Sequence, residues 1–256
     1  DLEKTQVEAL LRENSPRYVP LAQLRLQTNL NEEAFTACTQ ALEAEGKLVA
    51  VTDKLKLHAA YYQALGQKAR GLLETFHQEN PLKAGMRWET LRAALFPRLE
   101  PGAGDKLLER MTQDGTLAVA GRCLALPTFQ VAFTPEQEAL KDRLYQACAQ
   151  EPFAPPERSG LTKEMGRAKD FQKVLDYLTD EGELVPLEPD LLFTRKAVEE
   201  TCALLREEGI PATRYHAGLS DAERRKNQED FSYDRAVVMV ATNAFGMGID
   251  KADVRF

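Results

Sequence analysis

FQKVLDYLTDEGELVPL, Phe171 to Leu187, is the stretch whose reading decides the fold of most of the chain. Phe171, Val174, Leu175 and Leu178 recur at helical spacing and make one apolar stripe. Gly182 stops that helix, because a closing residue commonly takes positive φ and glycine does so without steric cost. Leu184, Val185 and Leu187 then begin an extended run. The same pattern is spelled twice more. FTACTQALEAEGKLVAV (Phe35 to Val51) turns at Gly46, and DKLLERMTQDGTLAVA (Asp105 to Ala120) turns at Gly115. Each time an acidic residue precedes the glycine and a leucine stands two places after it (Leu48, Leu117, Leu184). The glycines fall roughly 70 residues apart, about one small domain per copy. The last quarter of the chain holds no fourth copy.

Outward from these turns, the first unit covers residues 1–60. Val7, Leu10 and Leu11 give one helix, broken at Ser15-Pro16; Leu21, Leu24 and Leu26 give a second. Asn31 with Glu32 and Glu33 reads as a cap opening a third. Two extended runs, Lys47 to Val51 and Lys54 to Leu57, follow around Thr52-Asp53. Three helices and a small hairpin are the parts of a winged helix. The second unit, 61–130, repeats them: a helix from Tyr61 to Glu79, a second on Trp88, Leu91 and Leu95, a loop from Pro97 to Gly104, and a hairpin turning at Gly121-Arg122. In the third, 131–197, Thr134 caps a helix with Pro135 at its first position; Leu161 to Met165 is the short helix and Asp170 caps the third. No unit has a large core, so each is expected to lean on its neighbour.

Residues 198–256 change register. A helix from Thr201 to Glu208, a short extended Ala212 to Tyr215, and a charged helix capped by Ser220 lead to AVVMVA, Ala236 to Ala241. A continuous apolar run of this kind reads as a strand buried on both faces of a parallel sheet. The expected fold class is therefore α+β: three tandem winged helices followed by a truncated α/β parallel-sheet fragment.

Hydrophobic residues make up 43%, an ordinary globular share, and no apolar run approaches the ~20 residues that span a bilayer. A membrane is not an expected partner, and a cytoplasmic location is. The four cysteines, Cys38, Cys123, Cys148 and Cys202, show no metal-ligand spacing and read as reduced core thiols. The net charge of −7 argues against a surface coated by nucleic acid, since phosphate binding rests on Lys and Arg. One local basic group stands out: Arg158, Lys163, Arg167, Lys169 and Lys173, around the second and third helices of the third unit, where a winged helix presents its nucleic-acid face. Glu157, Glu164, Asp170 and Asp176 interleave with them, and a solvated face is the simpler reading. Surface positions or local hydrogen bonds are expected for His58, His77 and His216. Arg224, Arg225 and Lys226, balanced by acids, read as an exposed helix face. The chain opens without Met inside a helical pattern and is expected to be a piece of a longer protein.

Two resemblances are carried by specific words. FTPEQEALKDRLYQ, FAPP and KVLDYLTDEGELV, set in three tandem winged helices, resemble the C-terminal region of the bacterial selenocysteine-specific elongation factor. That resemblance implies a non-enzymatic spacer or RNA-binding array, with an mRNA hairpin and the ribosome as partners ahead of DNA; GTP would be held by a part absent here. From Thr201, YHAGL (Tyr215 to Leu219), Arg224, Gln228, Phe231 and VATNAFGMGIDKADVRF (Val240 to Phe256) look like the second RecA-like domain of RecQ-type DNA helicases. By motif position, Thr242 and Gly246 would then touch a nucleic-acid backbone, and Gly248 and Asp250 would lie near the ribose of ATP. The chain contains no GxxxxGK[ST] loop and no DEAH-like box, so no hydrolysis and no cofactor of its own are expected. LLFTRKAVEE, Leu191 to Glu200, fits both patterns, and the chain reads as a hybrid, natural or artificial, joined near there. A protein-interaction module is the third reading. Residues after Thr201 supply few strands of a larger sheet and are expected to be less stable than the winged helices, either docked on the third unit or poorly ordered.

Overall fold

The computed structural model describes residues 2–187, 190–242 and 254. It is a mixed α and β chain in two compact units, Asp1–Val131 and Ala132–Phe256.

The first unit opens with α1 (Leu2–Asn14), α2 (Leu21–Arg25) and α3 (Glu32–Ala44), then the hairpin β1 (Leu48–Ala50) and β2 (Lys56–His58). Asn31 caps α3 by accepting from Ala34 N at 2.8 Å. Val7, Leu11, Leu24, Phe35, Leu42 and Leu48 form one apolar cluster. The hairpin's other face belongs elsewhere. Val51, Leu55 and Leu57 pack in a second cluster with residues of α4 (Ala59–Glu79), α5 (Trp88–Leu95) and α6 (Pro101–Gln113). The expected dependence of one segment on the next is thus a shared core. Strands β3 (Met86–Arg87), β4 (Ala118–Ala120) and β5 (Cys123–Ala125) complete the unit, with β5 central and both neighbours antiparallel to it. Pro101 to Gly104 is helical, not loop. Pro101 sits at the first helical position, where its missing N–H costs nothing, and the Glu100 carboxylate accepts from Gly102 N and Ala103 N.

In the second unit Thr134 and Gln137 form a reciprocal capping box on α7 (Pro135–Ala149). Thr134→Ala is expected to cost about 1 kcal/mol, read as a lower urea midpoint for this unit. Helices α8 (Arg158–Met165) and α9 (Phe171–Asp180) and the antiparallel pair β6 (Leu184–Leu187) and β7 (Leu191–Thr194) follow. Asp170 does not cap α9 with its side chain; its φ is +64° and its carboxylate accepts from Gln137 Nε2 at 2.9 Å instead. Thr194 caps α10 (Arg195–Glu207), so this helix begins six residues before the expected Thr201. Strand β8 (Ala212–Tyr215), α11 (Asp221–Ser232) and β9 (Val238–Ala241) end the described chain, with β8 and β9 parallel as expected. The β9 residues are half-exposed rather than buried on both faces, because β8 is the one strand paired with β9 among the described residues.

Gly46, Gly115 and Gly182 all have positive φ, at +73°, +78° and +68°. Gly182 has a second role. A Cβ there would overlap the Gly218 amide nitrogen, lie 2.5 Å from Gly218 Cα and 3.0 Å from the Ala217 carbonyl carbon. The loop His216–Gly218 is therefore seated on the α9–β6 turn, and residues after Thr201 dock on the segment before them.

All three histidines are buried; His58 and His216 make the local hydrogen bonds that are one of the two expectations, whereas His77 is bonded to backbone far away in the sequence. His58 Nδ1 accepts from Ala60 N at the start of α4 (3.2 Å). His77 Nε2 accepts from Leu126 N (3.2 Å) and its ring stacks on Phe129 at 3.5 Å. His216 Nδ1 accepts from Gly218 N (3.2 Å), and its Nε2 lies 3.4 Å from Glu199. Burial lowers the pKa of His77 and His216 below the ordinary imidazole range. Each therefore binds its proton more weakly when folded than when unfolded. Their contribution to stability is present above the unfolded value near ~6.5 and is lost as pH falls below it. Urea midpoints measured at pH 7.5 and 5.5 are expected to fall with acid for both units, and His77→Gln to flatten that dependence in the first.

Candidate nucleic-acid interface

Helix α8 buries Leu161 and Met165, and α9 buries Phe171, Val174, Leu175 and Leu178. These anchors leave Arg158, Lys163, Arg167, Lys169 and Lys173 exposed on α8, on the turn after it and on the first turn of α9. Their surroundings differ. Lys173 pairs with Asp170 at 3.3 Å. Arg158 stands near Asp190, whose carboxyl is held below the usual range chiefly by the Ser159 backbone N–H, 3.0 Å away. Lys169 faces the charge of Asp170. Among the described residues Lys163 and Arg167 have no side-chain hydrogen bond or ion pair. The outer face of α9 also carries Gln172, bonded to Asp176 at 2.6 Å, and the exposed Asp180. The cationic part of this surface is thus the end of α8 and the following turn, not the length of α9. Such a surface suits phosphate contacts, which position a nucleic acid, better than reading of base edges.

The acidic excess is not evenly spread. Residues 1–131 carry equal numbers of acidic and basic side chains, so the net charge of −7 belongs to residues 132–256. The basic turn sits in the more acidic unit.

At the other candidate, the Thr242 backbone N–H donates to Tyr215 O at 3.1 Å, continuing the β8–β9 ladder by one rung. Gly246, Gly248 and Asp250 lie outside the described residues. Arg224 is buried and paired with Asp221 at 2.5 Å, not on an exposed face; α11 turns it inward beside Asn227 and Phe231. Arg225 and Lys226 are exposed as expected.

The sequence gives no warning of a cleft of about 550 Å³ against β8, lined by Arg206, Arg214, Lys226, Asp230 and Arg235 among others. Its residues are scattered over three elements and a turn, with no linear spacing to betray them. Arg235 Nε is hydrogen-bonded to Asp230 (2.7 Å), and Arg214 Nε is ion-paired with Glu199 at 2.5 Å without hydrogen-bond geometry. Pro211 and Ala236, also in its lining, place it at the strand starts, whereas ligands of open α/β sheets gather beyond the strands' carboxyl ends.

None of the four cysteines is in a disulfide. Burial pushes Cys148 up to about 11 and raises Cys202, so neither is a ready nucleophile. Among the described residues no group of three His, Cys, Asp or Glu is placed to hold a metal, and no helix is long and apolar enough to cross a membrane.

Comparison with known proteins divides the chain in the same two directions as its motifs. Residues 70–126 match the family model described as elongation factor SelB, winged helix, and residues 189–256 match the helicase conserved C-terminal domain. Curated relatives matching the C-terminal region include the ATP-dependent DNA helicase RecQ of Bacillus subtilis, 49% identical over 63 residues, which are 25% of this chain and 11% of that protein. The RecQ of Haemophilus influenzae is 49% identical over 63 residues, 25% of this chain and 10% of that protein. The ATP-dependent DNA helicase Q5 of Rattus norvegicus is 39% identical over 92 residues, 36% of this chain and 10% of that protein. The chain spans about a tenth of the length of these relatives.

Proposed function

We propose that this chain is a nucleic-acid-binding array without hydrolytic activity of its own: three tandem winged helices of the selenocysteine elongation-factor kind, joined near Leu191–Glu200 to part of a helicase RecA-like domain. The observation that carries this reading is the pair of separate family matches, at 70–126 and 189–256, on one chain. The recurrence of three helices, a positive-φ glycine and a hairpin in all three segments supports the repeat. The isolated bridge Glu157↔Leu191 adds to it, because it places a third extended segment beside β7 as β3 lies beside β5. The elongation-factor resemblance makes an RNA hairpin and the ribosome the intended partners of the array. With few free cations, the chain binds a hairpin weakly and through phosphate.

Fluorescence anisotropy with a labelled RNA hairpin tests this. Three phosphate contacts imply a loss of roughly 20- to 40-fold in affinity between 50 and 200 mM salt. A Lys163→Glu, Arg167→Glu, Lys169→Glu variant is expected to lower the salt slope by about 2 to 3. Tight, hairpin-specific binding that this variant leaves unchanged would contradict the reading. The second reading, a fragment of a RecQ-type ATP-dependent DNA helicase, is favoured by the 49% identity over 63 residues. It predicts preference for single-stranded DNA over the RNA hairpin in the same titration. Under either reading ATP turnover by this chain stays at background, since the sequence has no P-loop.

A further inference from the structure

The cleft of about 550 Å³ lies along the edge of β8 that is turned away from β9, and its volume is in the range of small-molecule sites. Pro211 O and Tyr215 O accept from Val238 N and Thr242 N, so the alternate carbonyls of Ala212 and Arg214 point the other way. Both are held by side chains of the lining: Arg206 Nε donates to Ala212 O at 2.8 Å, and Asn227 Nδ2 to Arg214 O at 2.9 Å. Opposite this edge, Glu223, Lys226, Asn227 and Asp230 line the cleft at helical spacing, from one face of α11. Pro211 and Ala236 close it at the strand starts. Thr242 is bonded at the other end of the strand pair, beside Tyr215, so the cleft is built from described elements alone.

The charges in this lining do not cancel. The Glu223 carboxylate is taken by Ser220, accepting from its N at 3.0 Å and its Oγ at 2.8 Å. Asp230 accepts from Arg235 Nε at 2.7 Å. Arg214 is ion-paired through Nε with Glu199. Arg206 and Lys226 have no carboxylate partner among the described residues, so two positive charges stand uncompensated in one cleft. Arg206 is also oriented in advance. Its Nε is spent on the strand, which leaves the four N–H donors of its Nη atoms for another acceptor. Lys226 is exposed and brings three more donors.

We propose that this cleft binds a small compound carrying a phosphate monoester, with Arg206 and Lys226 on the phosphate and Pro211 and Ala236 against the rest of the molecule. A phosphate monoester carries about −1.5 to −2 charges at pH 7 and three acceptor oxygens, which matches two free cations rich in donors. A nucleic-acid strand suits the place less well. It has one charge per phosphate, and it would run over the surface of the unit that holds the whole acidic excess. A small dianion inside the cleft is within a Debye length, about 8 Å, of its cations and is screened from more distant acids. The cleft is separate from the carboxyl-end crevice in which open α/β sheets hold ligands. It is separate from the basic turn after α8 as well, so it stands or fails apart from the proposed nucleic-acid binding.

Amide chemical shifts of the full chain, titrated with glycerol 3-phosphate, with glycerol and with an RNA hairpin, test it. The expected result is a saturable shift of the amides of Ala212 to Arg214 and of Lys226 to Asp230 with glycerol 3-phosphate, and none there with glycerol or the hairpin. Lys226→Gln is expected to weaken the binding about tenfold, the size of one charge-assisted contact. Arg225→Gln removes the same charge from the neighbouring exposed position, outside the lining, and is expected to change it less than about twofold. Both substitutions lie on the solvent side of α11, so its packing is kept. Several results would each overturn the proposal: no saturable shift at these amides, the same shifts with glycerol, equal loss in the two variants, or shifts there with the hairpin alone.

Discussion

Replacing Gly182 by alanine is expected to destabilise the second unit by about 2 to 5 kcal/mol, while Gly46→Ala costs the first only about 1 to 2 kcal/mol. Both positions have positive φ, so both substitutions strain the backbone equally. They differ in what surrounds them. A Cβ at Gly46 meets nothing within 4 Å, whereas one at Gly182 is driven into the backbone of Ala217 and Gly218. Backbone cannot rotate out of the way as a flexible side chain can, so the loop His216–Gly218 must lift off its seat. Urea unfolding followed by circular dichroism gives the two losses. Hydrogen exchange gives the location: amides of Gly218 and Leu219 should lose protection in Gly182→Ala, and those of α1 and α3 should not. Equal losses for the two variants would mean that the loop is not seated on the turn.

Leu57→Ala is expected to cost about 2 to 5 kcal/mol and to weaken α6 as much as the hairpin that carries it. Leu57 is fully buried, and it sits among Leu65, Leu91 and Leu107 rather than with the helices that precede it in sequence. Removing its side chain leaves a cavity in a core to which both segments contribute. Residues 2–131 should therefore lose protection together in hydrogen exchange, with one urea transition at a lower midpoint. A variant in which only α1 to β2 loosened would show that the two segments have separate cores.

The elements that could be read from the sequence were those set by local chemistry. Positive-φ glycines, the caps at Asn31, Thr134 and Ser220, and the tight turn at Gly121-Arg122 depend on residues within a few places of each other. The errors came where distant partners decide. The segment Pro101 to Gly104 looks like a loop because two glycines lower its helix propensity. Glu100 nonetheless caps it, and Gly104 is small because the Arg92 side chain crosses close by, 2.9 Å from where a Cβ would stand. Arg224 looks solvated in a charged helix, yet α11 packs on β8 and turns it inward. Of the histidines, His58 and His216 make the expected local hydrogen bonds, while His77 is held inside by the distant Leu126 backbone N–H. At the candidate interface the basic residues were legible. Which of them are already neutralised was not, because Asp190 reaches Ser159 from the far end of a hairpin. The half-exposed β9 was misread because AVVMVA fixes what the strand would prefer to touch, not how many neighbours are present.

Helix α4 runs for 21 residues, a strut of roughly 30 Å at about 1.5 Å per residue. Its first turn grows directly out of β2 through His58, and its apolar side is bolted to α5, α6 and the preceding hairpin by one common set of leucines. Bending α4 along that length would disturb the packing of every element in that set, so a displacement at its first turn is felt as far as Leu124 of β5.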